Sequence, residues 1–223
     1  MLKAWIRDNR GFLLFLLCFG FLRTAVADYN PIPSGSMRPT LLEGDVVLVN
    51  RLAFDAKVPL TDLSLARLGE PQRGDVVTFS SPKGGTRLIK RIVGVPGDEV
   101  AMRDGALVIN GETARYSGVT PANEPLAPGI AVQALRATEQ VAGSTRTVQY
   151  LPLVDAARHF DTVTLGADEY FMLGDNRDNS EDSRFIGPVP RHLLIGRAHH
   201  VLVSADITGH WRPRFERTVA PIR

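Results

Sequence analysis

The sequence predicts a mainly β protein that follows a short apolar N-terminal segment. From Tyr29 onward, no long stretch repeats apolar residues with the 3.6-residue period of a helix. Short apolar runs separated by Gly, Pro and Asp recur instead, as is typical of strands joined by turns. With 223 residues, 44% of them hydrophobic, the chain is long enough for one domain with a sizeable core.

Six of these apolar runs are predicted to be strands. They are residues 46–49, 76–79, 88–95, 107–109, 170–173 and 199–203. The pair Asn110-Gly111 predicts a hairpin turn, because both residues tolerate the positive φ of a type I′ turn. Short helical turns are predicted at 60–68 and 154–160, and the proline-rich stretch 117–129 is predicted to be a loop.

The N-terminal segment has the composition of a membrane-directed sequence. Residues 1–10 carry three basic side chains against one acidic side chain, and the run GFLLFLLCFGFL at 11–22 then has no charge. Twelve apolar residues are short for a membrane span of about 20 residues. A buried core helix is disfavoured, because a run of this length behind a basic flank is rarely one.

Two interpretations of this segment stay open on composition. Ala25-Val26-Ala27 resembles the cleavage site of a removable signal peptide. A permanent anchor over 11–27 is long enough if Arg23 snorkels to the interface. In both cases the basic flank keeps the N-terminus cytoplasmic and places the chain from Asp28 onward across the membrane.

The overall composition excludes several classes of protein. The 26 Lys and Arg against 24 Asp and Glu give a net charge of +2, so no nucleic-acid partner is expected. Cys18 is the single cysteine, which excludes an intramolecular disulfide and a cysteine-ligated zinc site.

The first candidate site is the turn PSGSM at 33–37. It carries the hydroxyls of Ser34 and Ser36 on a glycine-containing bend, where several backbone N–H groups can point at one position. The same residues also suit an ordinary Ser/Gly/Pro loop, since such residues are selected for backbone reasons.

Lys90, within the apolar run LIKRIVGV, is the second candidate. Period-2 alternation places Lys90 on one face of the strand and Arg91 on the other. If the Lys90 face is the inner one, desolvation lowers the pKa of the lysine and favours the neutral amine. Alternatively, Lys90 snorkels from an edge strand.

A third candidate is the charged loop GDNRDNSEDSR at 174–184. Asp175, Asp178 and Asp182 are spaced like oxygen ligands of a cation, but the loop lacks the EF-hand spacing and contains Arg177 and Arg184. A salt-bridged loop is therefore the favoured interpretation. Because the five histidines form no recognisable Ser-His-Asp pattern, a neutral lysine is the available base for a nucleophilic serine.

Taken together, these segments resemble those of bacterial type I signal peptidases, which are membrane-anchored Ser-Lys endopeptidases. The matching segments occur in the family's order: PSGSMRPTLLEGD (33–45), RGDVVTF (73–79), KRIVGVPGD (90–98) and GDNRDNSEDSR (174–184). The similarity runs from about residue 30 to 206 and covers an insert near 105–165 only weakly.

The resemblance implies an antiparallel-sheet catalytic domain at 28–223, with a smaller β region inserted at about 105–165. It implies that Ser36 is the nucleophile, that Lys90 is the general base, and that the Ser34 hydroxyl and the Ser36 backbone N–H form the oxyanion hole. Of the supporting residues, Ser180 would hydrogen-bond Lys90, Asp182 and Arg184 would form a salt bridge, and Met37 would pack beside the lysine. Apolar pockets for small substrate side chains would be lined by Ile32, Leu41 and Ile89.

As the expected activity, the resemblance implies removal of N-terminal signal peptides from exported preproteins after A-x-A-like sites. The expected location is the bacterial plasma membrane, with residues 1–10 cytoplasmic, one transmembrane anchor at 11–27 and the catalytic domain outside the cytoplasm. Preproteins and membrane lipid are the expected partners, with no cofactor, metal or nucleic acid.

Alternative functions remain open. A specialised Ser-Lys peptidase that matures a conjugative pilin would share the chemistry and differ in its substrate range. A catalytically silent secreted β domain would not explain why Ser36, Lys90 and Ser180 are all present in the matching segments. A self-cleaving repressor is disfavoured, because no helix-turn-helix precedes Ser36.

Overall fold

The computed structural model describes residues 2–21, 25–58, 61, 63–127 and 130–222. Helix α1 (Leu2–Asp8) and helix α2 (Arg10–Phe21) occupy the N-terminus. Helix α2 covers the first part of the anchor predicted at 11–27, whereas residues 22–24 of that prediction lie outside the described residues. Within the described ranges, each helix is too short or too polar to reach across a membrane.

Most of the remaining chain is β structure. In chain order the strands are β1 (Ala27–Pro31), β2 (Asp45–Asn50), β3 (Asp55–Lys57), β4 (Ser64–Arg67), β5 (Val76–Ser80), β6 (Arg87–Gly94), β7 (Glu99–Arg103), β8 (Ala106–Ile109), β9 (Glu112–Thr113), β10 (Arg115–Ala127), β11 (Ile130–Val141), β12 (Ser144–Tyr150), β13 (Phe160–Thr164), β14 (Glu169–Leu173), β15 (Val189–Pro190), β16 (Leu194–Ser204) and β17 (Ala220–Pro221). A short helix, α3 (Ser183–Ile186), follows β14.

The largest sheet has eight strands. Its order is β1-β2-β16-β5-β6-β14-β15, and β17 pairs with β16. Smaller sheets have the orders β13-β7-β8-β9, β10-β11-β12 and β3-β4. Neighbouring strands in these sheets run antiparallel, which confirms the predicted mainly β, antiparallel class.

All six predicted apolar runs correspond to strands, namely β2, β5, β6, β8, β14 and β16, with the run 88–95 reaching one residue past the end of β6 at Gly94. The hairpin at Asn110-Gly111 is also confirmed. It joins β8 to β9, and both residues have positive φ, at 51° and 81°. The apolar runs were therefore sufficient to locate five strands of the main sheet and strand β8 of the four-stranded sheet.

Three local predictions are wrong. The loop predicted at 117–129 lies in strand β10 as far as Ala127, and residues 128–129 are outside the described residues. Prolines are tolerated there because β10 is an edge strand of its sheet. The helical turn predicted at 60–68 is instead strand β4 over Ser64–Arg67, which pairs with β3, while residues 59, 60 and 62 are not described.

The helical turn predicted at 154–160 is irregular up to the start of β13 at Phe160. Here the Arg158 guanidinium donates hydrogen bonds to the carbonyls of Leu151 and Val154 at 3.1 and 3.3 Å. A side chain thus occupies carbonyls that a helix would use for its own backbone hydrogen bonds.

Candidate active site

The main sheet brings Ser36 and Lys90 together. Lys90 lies on β6, an inner strand between β5 and β14, and Ser36 lies in a one-turn 3₁₀ helix, Gly35–Met37, that follows β1. Lys90 Nζ and Ser36 Oγ are 2.7 Å apart. Both residues are buried, Ser36 at 8% and Lys90 at 3% exposure, so the alternative of a lysine that snorkels from a sheet edge does not hold.

Burial lowers the pKa of Lys90 from its ordinary 10.5 to about 8. The carboxylates of Asp182, Glu181 and Asp175 oppose this shift, and Arg184 adds to it. A substantial fraction of the amine is consequently neutral just above neutral pH, as a proton acceptor for a serine must be.

The 174–184 loop holds the backbone of the serine turn. The Asn176 backbone N–H donates to the Ser36 carbonyl at 3.1 Å, and the Asn176 side-chain amide donates to the Gly35 carbonyl at 3.0 Å. Sequence reasoning missed Asn176, although its place within this polar loop was the available signal. These two bonds fix the turn that presents Ser36.

The three aspartates of this loop are paired with arginines. The three ion pairs are Asp175–Arg91, Asp178–Arg158 and Asp182–Arg184, with closest N–O distances of 2.7, 2.8 and 2.8 Å. Because each of these aspartates already has a cationic partner, the arrangement is that of a salt-bridged loop. Within the described residues, no three metal-binding side chains come together.

Asp182 forms the predicted contact with Arg184 through two parallel hydrogen bonds of 2.8 Å, and it also accepts the Gly174 N–H at 3.0 Å. Ser180 differs from expectation. Its buried hydroxyl has no hydrogen-bond partner among the described residues, so the expected bond to Lys90 is not formed. Ser180 instead lies against Gly174, where a β-carbon would come within 2.3 Å of its Oγ.

Ser34 lies two residues before Ser36 and is exposed. Its hydroxyl donates a hydrogen bond to Ser36 Oγ at 3.4 Å. Two hydroxyls therefore lie side by side in this turn.

The apolar residues expected near the substrate form one cluster, in which Ile32, Met37 and Leu41 are core members and Ile89 packs against them. Ile32 is 2% exposed, and Leu41 and Met37 are 0% exposed, so these side chains support the site from within the core. Ile89 alone of the four is only partly buried. Of the three residues expected to line pockets for small substrate side chains, Ile32 and Leu41 are therefore closed off from solvent in this conformation, and Ile89 is partly accessible.

Comparison with known proteins assigns the family. A family model described as signal peptidase, peptidase S26, matches residues 3–203. The chain belongs to the signal peptidase family S26. Signal peptidase I of Pseudomonas aeruginosa is 35% identical over 211 residues, covering 89% of this chain and 72% of that protein. Signal peptidase I of Pseudomonas fluorescens is 35% identical over 213 residues with the same coverage.

Among solved structures, a signal peptidase I from Enterococcus faecalis V583 is 30% identical and covers 57% of this chain and 96% of that chain, with a TM-score of 0.35. The assignment to the signal peptidase family rests on the sequence matches. It identifies the chain as a serine peptidase and favours signal-peptide removal over pilin maturation.

Proposed function

We propose that this protein is a membrane-bound endopeptidase that removes N-terminal signal peptides from exported preproteins after A-x-A-like sites. The observation that carries the proposal is the 2.7 Å approach of a buried Lys90 amine to Ser36 Oγ in a member of family S26. Burial makes the charged form of a lysine energetically unfavourable. A buried lysine beside a serine is therefore typical of a site in which the neutral amine acts as a base.

In this mechanism the neutral Lys90 amine accepts the proton of the Ser36 hydroxyl as Oγ attacks the carbonyl carbon of the scissile bond. The Lys90 ammonium then gives that proton to the leaving amine as the carbon–nitrogen bond breaks, which leaves an ester on Ser36. Water, deprotonated by Lys90, hydrolyses the ester and regenerates Ser36.

The developing oxyanion is bound by the Ser34 hydroxyl and the Ser36 backbone N–H. Ser34 is suited to this role because its hydroxyl is already 3.4 Å from the attacking oxygen. Ser180 orients Lys90 once Ser36 Oγ has become part of the ester, since its buried hydroxyl has no hydrogen-bond partner among the described residues and is free to accept one. Asp182 and Arg184 keep the backbone around Ser180 in place.

We also propose the membrane topology that the basic flank and the apolar run imply. Residues 1–10 are cytoplasmic and the anchor lies within the predicted segment 11–27. It ends before Ala27, because Ala27 is already paired in strand β1, and the chain from β1 onward faces the other side of the bacterial plasma membrane. Ala27 opens strand β1, whose backbone pairs with β2. The Ala25-Val26-Ala27 sequence resembles a cleavage site, so the protein is itself a possible substrate. Ala27 and Asp28 would have to separate from β2 before another molecule of the protein could cut the bond between them.

Cleavage of a defined preprotein tests the proposed function. Detergent-solubilised protein is mixed with a preprotein carrying an A-x-A site, and the new N-terminus of the product is read by mass spectrometry. We expect cleavage directly after the second alanine and none when that alanine is replaced with tryptophan, because the small-residue site would clash with a large side chain. Failure to cut the parent substrate, with cutting of a pilin precursor, would favour the specialised peptidase.

The rate of cleavage should rise with pH through about 8. Below the folded pKa of Lys90 the amine is protonated and cannot accept the serine proton, so activity is lost as pH falls through that value. The measurement is kcat/KM for a signal-peptide substrate between pH 6 and 10, with circular dichroism to confirm folding at each pH. A flat profile would exclude Lys90 as the titrating base.

A further inference from the structure

The insert (residues 105–165) contacts both catalytic segments through buried side chains. Its three-stranded sheet carries Glu124 on β10, Glu139 on β11 and Gln149 on β12, which are 4%, 0% and 0% exposed. A buried carboxylate requires a partner. Glu124 and Glu139 each have an arginine partner that lies outside the insert.

Glu139 binds Arg177 of the 174–184 loop. Both terminal nitrogens of the Arg177 guanidinium donate to the Glu139 carboxylate, Nη2 at 2.7 Å, and Nε of the same group donates to the Gly174 carbonyl at 3.3 Å. Arg177 is 1% exposed. Burial raises the pKa of Glu139, but Arg177 and Arg146 outweigh that effect and lower the pKa to about 2, so the carboxylate stays charged.

The backbone makes a second connection at the same place. The Gln149 N–H donates to the Asp175 carbonyl and the Arg177 N–H donates to the Gln149 carbonyl, both at 2.8 Å, in a parallel bridge. Asn176, between these two loop residues, holds the carbonyls of Gly35 and Ser36. One side of the loop is therefore bound to the insert while its other side holds the nucleophile.

Glu124 reaches the nucleophile segment directly. Its carboxylate is 2.8 Å from Nε of Arg38, two residues after Ser36, and Arg38 is also 2.7 Å from Glu43. The side chains of Arg38 and Glu124 are 6% and 5% exposed, so solvent screens this pair weakly.

We propose that Glu139 and Glu124 are positioning residues through which the insert holds the 174–184 loop and the Ser36 turn in register with Lys90. The inference rests on the proposed function for its reaction and adds a role for the insert. The carboxylates touch neither substrate nor reacting atoms. They act through Arg177 and Arg38, and loss of the contact lets the serine and the lysine drift out of hydrogen-bonding distance.

The decisive variant is E139Q/R146M, compared with R146M alone. The double substitution removes one charge of each sign, so the net charge of the buried cluster is unchanged, while R146M leaves the Glu139–Arg177 pair intact. Because a displacement of about 1 Å can cost a hundredfold, we expect kcat of the double variant to fall between about tenfold and a hundredfold, with KM changed little. R146M should retain kcat near that of the parent.

Titration of Lys90, followed by NMR of the labelled amine, gives a readout that needs no substrate. Asp175, Glu181, Asp182 and Arg184 face this amine. A loosened loop admits water, so the Lys90 pKa should rise from about 8 toward its ordinary 10.5 in E139Q/R146M and stay unchanged in R146M. If the parent cleaves no preprotein, the proposed function fails, and this titration still decides the positioning role.

If E139Q/R146M does not fold, E124L is the second test variant. Glu43 remains paired with Arg38 in E124L, so the substitution leaves no unpaired buried arginine. We expect a loss of kcat of about fivefold or more with the same upward shift of the Lys90 pKa. D161N is its surface control, since Asp161 is 98% exposed and, among the described residues, pairs with a half-exposed Arg103 alone. Unchanged kcat and unchanged Lys90 pKa in a folded E139Q/R146M or E124L variant would overturn the proposal.

Discussion

Replacing Lys90 with methionine abolishes cleavage while the fold is retained. Lys90 Nζ is the group 2.7 Å from Ser36 Oγ, and methionine offers a similar volume with no base. Since a nucleophile and its base act as a unit, K90M, S36A and the double variant should lose the same activity, on the order of 10⁴-fold or more. The measurement is kcat/KM for a signal-peptide substrate with each purified variant.

Thermal unfolding supplies the control for this experiment. Burial disfavours the Lys90 cation, so K90M should unfold at the temperature of the parent or above it. A K90M protein that is folded and retains activity within about tenfold of the parent would remove Lys90 as the base. Residual activity in the double variant far below that of either single variant would contradict action as a unit.

Substituting Gly174 with alanine should cost nearly as much, for a steric reason. A β-carbon at this position would be 2.3 Å from Ser180 Oγ and 2.5 Å from the backbone carbonyl oxygen of Ser36. Neither distance is tolerable, so the loop or the serine turn must move. We expect G174A to lower kcat by about a hundredfold and to destabilise the fold by about 1–3 kcal/mol.

The matched control is the same substitution at Gly166, in the turn before β14. Like Gly174, Gly166 does not have a positive φ, so alanine causes no backbone strain at either position. There a β-carbon meets only the flexible end of the Glu169 side chain, at 3.1 Å. G166A should therefore keep kcat within about twofold of the parent, as expected for a site away from special features. Crystal structures of the two variants would show whether the Ser36–Lys90 distance lengthens in G174A alone, and an unchanged kcat in G174A would refute the steric argument.

The sequence was sufficient for those parts of the molecule that depend on local patterns. Apolar runs located the main strands, and Asn110-Gly111 located a hairpin, because periodicity and turn chemistry act over a few residues. The prolines of 117–129 were misleading because their tolerance depends on β10 being an edge strand, which only the assembled sheet reveals.

Contacts between distant segments could not be predicted in the same way. The alternation along β6 separated Lys90 from Arg91, but it could not name Asp175 as the partner of Arg91, since the two lie 84 residues apart. Asn176 and Glu139 were missed for the same reason, because what they bind is determined by how the loop docks on the sheet. The role of Ser180 was predicted from the family resemblance. Its hydroxyl has no hydrogen bond among the described residues, which depends on side-chain geometry that the sequence does not show.

The hydrogen bond between the Asn176 amide and the Gly35 carbonyl joins residues 141 positions apart. Closing a loop of this length costs chain entropy, so we expect this contact to form only when much of the chain around it has already folded. Lys90 can meet Ser36 in working geometry only after β14 and the following loop have joined the sheet. A newly made chain should accordingly remain inert as a protease until it is almost completely folded, which protects unfolded neighbours and its own segments from premature hydrolysis.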